Sequence, residues 1–83
     1  MDKNQMFRFS LEIKELLKKQ DSLGATKKIQ LANLTQDELE FLEKCLRSDG
    51  YNAATDKFQY NFTDNSEFIK LVALVIASAK ANK

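Results

Sequence analysis

The apolar positions of this chain fall into three helical stripes and one alternating run. At about 100° per residue, Phe68, Leu71, Val72, Val75, Ile76 and Ala79 share one face, which predicts a helix over about 65–80 with that face in the core. Its reverse is unusual for a solvent face. Lys70, Ala73, Leu74, Ala77 and Ala81 recur there at spacings of three and four, with little charge among them. A helix apolar nearly all round wants cover on both sides. The second stripe is Leu39, Leu42, Cys45 and Leu46, in a helix over about 36–49 whose Glu40, Glu43, Lys44 and Arg47 face water. Thr35 and Glu38 stand at capping-box spacing at its start, Asp37 and Glu38 complement the helix dipole, and Gly50 is placed to close it.

Residues 4–20 carry two patterns at once. Met6, Phe9, Ile13, Leu16 and Leu17 share a helical face, whereas Phe7, Phe9, Leu11 and Ile13 alternate with polar residues as a strand does. The helical stripe runs on through Leu16 and Leu17, and the segment lacks Gly, Pro and Thr, so a helix over about 4–20 is expected. Phe7 and Leu11 then lie off its core face, one turn apart. Gly24 is expected to end this helix, with Asp21 and Ser22 in the turn. Phe58-Gln59-Tyr60-Asn61-Phe62 alternates aromatic and amide, the period of a half-buried strand. A lone strand is unstable, and the best partner in the chain is Ile29–Leu31, which one helical turn would also fit. The expected fold is therefore a mostly α member of the α+β class and a single domain, 1–83. It has three helices (about 4–20, 36–49 and 65–80) and a minimal two-stranded ribbon (about 29–32 and 57–62).

Composition narrows the chemistry. Eighty-three residues hold one small core, of the size that often needs a disulfide, a metal or a partner. Cys45 is the lone cysteine and histidine is absent, so no intrachain disulfide and no Cys/His zinc set can form. A partner remains. The lone cysteine and the lack of an export signal point to a cytoplasmic protein, which makes chance matches of the glycosylation tripeptides at Asn33 and Asn61. The apolar run 68–79 is too short to cross a bilayer.

Catalysis finds few tools. Without histidine the commonest general base is missing, and neither a Ser-His nor a Cys-His nucleophile can be built. Cys45 lies on an apolar stripe and reads as core. Asp37, Glu38, Glu40 and Glu43 read as a helix start and a solvated face. Gly24 and Gly50 are the only glycines, too few for a phosphate-cradling loop, and no calcium-loop pattern surrounds Asp49 or Asp56. No enzyme, metal or cofactor is expected.

Net charge is +1 but unevenly spread: residues 1–30 carry +3, 31–67 carry −5, and 68–83 carry +3. Leu34–Tyr51, a loop and Phe58–Phe62 together resemble the last helix and wing of winged-helix regulators, with the final helix as a dimer arm. That resemblance implies nucleic-acid binding. Against it, the helix that would enter the groove carries Asp37, Glu38, Glu40 and Glu43, which repel phosphate. The lysines at 14, 18, 19, 27 and 28 are the cations left to meet a backbone. The main expectation is a small, non-catalytic protein-interaction module, an inhibitor or adaptor of the kind phages and mobile elements encode. It would bind a larger protein through Phe7, Leu11, Lys70, Ala73, Leu74 and Ala77. The final helix would also allow a homodimer, and strand 58–62 could add to a partner's sheet.

Overall fold

Met6, Ile13 and Leu17 are buried on one side of a continuous helix, so the ambiguous amino-terminal segment is helical. The computed structural model describes residues 2–60 and 66–81. Its elements, in order, are α1 (Lys3–Lys18), α2 (Ser22–Ala32), α3 (Gln36–Arg47), β1 (Gly50–Asn52), β2 (Lys57–Gln59) and α4 (Ser66–Ala81). The mostly helical α+β class is as expected, but there are four helices rather than three.

The additional helix is α2, where the ribbon's first strand was expected at 29–32. Ala25 and Ile29, one turn apart, are its buried residues, a stripe too short to register as a period. Gly24 does not end α1. It sits in the first turn of α2, where its N–H donates to Oδ1 of Asp21 at 2.9 Å, and a Cβ there would collide with that carboxylate. Asp21 and Gly24 therefore start a helix instead of stopping one. α1 stops earlier, on Gln20 at φ 62°, with N–H groups of Gln20 and Asp21 donating to the carbonyls of Leu17 and Leu16 at 3.0 and 2.9 Å.

The strand partner is also corrected. β2 pairs antiparallel with β1, Tyr51 opposite Phe58. Gly50 opens β1 and does not cap α3, which ends at Ser48 in extended conformation. The side chain of Asn52 accepts the N–H of Ala54 at 3.0 Å and Asp56 takes φ 54°, so the hairpin turns on residues tolerant of such geometry. Asn61 and Phe62 of the predicted strand, and Asp64 ahead of the last helix, lie outside the described residues.

The stripes of α3 and α4 are buried as their periodicity requires: Leu39, Leu42, Cys45 and Leu46 on one, Val72, Val75, Ile76 and Ala79 on the other. Phe9, Leu16, Phe41, Phe68 and Leu71 are half-buried against them. α4 packs across α2 and α3, and α1 packs mainly on α3 and then α2. Thr35 caps α3 as its spacing predicts, its Oγ1 accepting the N–H of Glu38 at 3.2 Å while Glu38 accepts the N–H of Thr35 at 3.0 Å. Replacing Thr35 by Ala removes the hydroxyl that accepts the Glu38 N–H and leaves only the backbone half of that box. Stability should fall by about 1 kcal/mol, and a thermal melt should show the midpoint lower by roughly 4–8 °C.

Candidate functional site

Four leucines stand out of the core on the outer faces of α1, α2 and α4. Leu31 is 82% exposed, Leu23 77%, Leu74 58% and Leu11 47%. α2 is the element they share. On one side it forms a depression of about 410 Å³ with α4, where Leu23, Lys27 and Gln30 meet Leu74, Val75 and Ser78. On the other it forms a second depression of about 410 Å³ with α1, where Lys28 meets Leu11, Glu12, Glu15 and Leu16. Lys28 Nζ pairs with Glu12 Oε2 there at 3.0 Å. Along the crest of α2, Leu23, Lys27 and Leu31 follow one another at four-residue spacing, and all three are exposed.

The residues predicted from periodicity divide among three places. Lys70, Ala73, Leu74 and Ala77 are all exposed on α4, with Ala81 one turn on, so the second apolar stripe of that helix is left largely open by the described residues. Leu11 lies across α2 from that stripe, in the α1–α2 depression. Phe7 goes elsewhere. It is half-buried beside the hairpin, its ring 6.3 Å from Tyr51, which stacks in turn on Phe58 at 4.9 Å and meets Phe41 edge-on at 5.3 Å. Lys3 and the Tyr51 hydroxyl both bind Oδ1 of Asp56, at 2.8 and 2.5 Å, fastening the start of α1 to the hairpin and holding that carboxyl below its ordinary range. Leu23 and Leu31 were not foreseen. Their spacing of eight was the available signal, and it has meaning only once α2 is a helix.

Charge is partitioned in the same way. α2 contains two lysines and no carboxylate, whereas α3 carries Asp37, Glu38, Glu40 and Glu43. Lys27, Lys70 and Lys80 are exposed and enter no ion pair among the described residues. Glu67, at the first turn of α4, is the one carboxylate of that helix.

The interior offers no comparable site. Cys45 is fully buried, and burial pushes its thiol up to about 11 against the weaker pull of the Ser10 hydroxyl and Lys14. The Lys14 ammonium, itself lowered by burial, donates to the Ser48 carbonyl at 2.5 Å. Among the described residues no three His, Cys, Asp or Glu gather as a metal would need, and no helix is long and apolar enough to cross a membrane.

These features define a four-helix domain with a small hairpin and a leucine-bearing outer surface centred on α2. Compared with protein-family models, with curated proteins and with solved structures, the chain matches none.

A thiol that is enclosed and poorly ionised reacts slowly. Labelling of the native protein at Cys45 with a thiol-specific chromogenic disulfide near pH 8 should lag the denatured chain by at least about a hundredfold, since ionisation alone contributes roughly two powers of ten between 9 and 11. Equal rates in native and denatured protein would place Cys45 at the surface.

Proposed function

We propose that this protein is a small, non-catalytic interaction module, an inhibitor or adaptor that works in the cytoplasm by occupying a surface of a larger protein. The supporting observation is the set of exposed leucines around α2: Leu23 and Leu74 line the depression on one side, Leu11 the depression on the other, and Leu31 stands exposed on α2 itself. Scattered surface leucines are ordinary; leucines collected around one element mark a surface that another molecule covers. The short, histidine-free, lysine- and asparagine-rich chain accords with a phage or mobile-element origin. Self-association through α4 is the weaker form of this reading, because pairing two copies of that helix doubles its exposed Lys70 and Lys80 against a single Glu67 from each.

Leu74→Glu should leave the far-ultraviolet circular dichroism and melting point nearly unchanged, because exposed substitutions usually fall within about 0.5 kcal/mol. It should abolish capture of a larger protein by the tagged chain in lysate of its native host. Lys57→Glu, on the hairpin, should leave that capture intact. Capture that survives Leu74→Glu and a companion Leu23→Glu would overturn this surface as the site.

One observation favours nucleic-acid binding as a second reading. α2, α3 and the hairpin follow in the order that winged-helix regulators use. The outer face of α3 opposes it, with Asp37 and Glu40 exposed in its first half and Arg47 already paired with Glu43 at 3.3 Å. Moreover, α2 packs chiefly on α4, not on α3. Filter binding at low salt should therefore detect only weak, sequence-blind association with DNA or RNA. A tight, sequence-specific complex would reverse the order of the two readings.

A further inference from the structure

We propose that the α2–α4 side of this surface receives an acidic amphipathic helix from another protein, with its apolar stripe on Leu23, Leu74 and Ala77 and its carboxylates facing Lys27, Lys70 and Lys80. This rests on the docking reading above and adds the chemistry of the partner. Two observations carry it. The depression between α2 and α4 runs between two helices, the setting into which an amphipathic helix lays its apolar face. The charge around it is mainly positive: Lys27 lines it, Lys70 stands one turn before Leu74 and Lys80 lies further along the exposed face, against Glu67 alone two turns before Leu74, and no carboxylate lines the depression. Three cations that enter no ion pair among the described residues, beside exposed leucines, are complementary to glutamates beside leucines.

A second copy of this chain fits poorly. α3 carries four of the twelve carboxylates, and its exposed residues Gln36, Asp37, Glu40, Lys44 and Arg47 include no apolar side chain to lay on Leu23 and Leu74. The acidic pair beside exposed Leu11, Glu12 and Glu15 on α1, is already engaged by Lys28 and Lys19 at 3.0 and 3.9 Å. The α1–α2 depression is different again, because Glu12 and Glu15 line it and Lys28 is already paired. Charge therefore assigns the acidic helix to the α4 side of α2.

The test uses the full chain and a displayed library of helices about five turns long. Leucines are fixed at every third and fourth position, and the flanking positions are free to be Glu, Gln or Lys. Selection should enrich Glu over Lys at the flanks by about tenfold, as three rim pairs would produce. The preference should reverse on the Lys27→Glu, Lys70→Glu, Lys80→Glu protein and weaken as salt is raised. Helices recovered with no charge preference, yet lost on the Leu23→Gln, Leu74→Gln protein, would overturn the acidic partner and leave the docking reading standing. Helices indifferent to both sets of substitutions would overturn both. Recovery of no helix would overturn the proposal. So would a stable dimer in sedimentation that Leu74→Gln dissolves, or lysine-dependent adsorption to phosphatidylserine vesicles. All five positions are exposed, so circular dichroism of each variant should match that of the parent.

Discussion

The packing of α4 across α2 and α3 is the contact on which the rest of the molecule depends. Val72, Val75, Ile76 and Ala79 are each 3% exposed or less. Burial of side chains of this size contributes about 1.5–3 kcal/mol apiece for the larger ones, gross of the entropy lost in ordering them. α2 meets this stripe with little of its own, Ala25 and Ile29. A helix held by so narrow a stripe keeps most of its circumference outside. The geometry that closes the core therefore also determines how much of α2 another molecule can reach.

That thinness explains where sequence pattern succeeded and where it failed. α3 was legible in all but its end, which Gly50 was expected to supply, because its N-cap, its stripe and its charged outer face agree with one another, and local agreement of this kind specifies an element before tertiary contacts form. α4 was legible as well, including the apolar reverse around Leu74. α2 was not. Its eleven residues are marginal as an isolated helix, Thr26 and Ile29 lower its propensity, and Gly24 carries the usual signature of an ending. The stop of α1 near residue 20 was placed but credited to Gly24, since Gln20 occupies a left-handed position where glycine is the expected residue. Once α2 was misread as a strand, the hairpin lost its true partner at Gly50–Asn52. Phe7 then looked unpartnered when it belongs beside Tyr51.

The buried polar groups have a bearing on function because of what they are already committed to. The Ser10 hydroxyl donates to the Phe7 carbonyl at 2.5 Å, the Ser48 hydroxyl to the Cys45 carbonyl at 3.1 Å, and Lys14 to the Ser48 carbonyl. The first two stay within a helix or its end; the third ties α1 to the end of α3. A polar group buried with its partner adds specificity to the packing, whereas one left waiting would point to a ligand. No buried side-chain nitrogen or oxygen among the described residues lacks a partner. The described interior therefore offers nothing aimed at a guest, and attention moves to the outside.

On the outside, the leucines of α2 have no work to do for the fold. Lysine, arginine or glutamine would propagate the helix almost as well as leucine at positions 23 and 31, and side chains 77% and 82% exposed contribute little burial within this chain. The same backbone with polar residues there would be about as stable and more soluble. Folding thus accounts for Ala25 and Ile29 but not for Leu23 and Leu31, although all four belong to one short helix. The alanines of α4 pose the same question from the other side, since they leave a shallow wall beside Leu74 that longer polar side chains would have filled. A surface that is apolar where its own fold gains nothing, and lysine-rimmed where no carboxylate among the described residues pairs with it, is the physical ground on which the proposed second molecule rests.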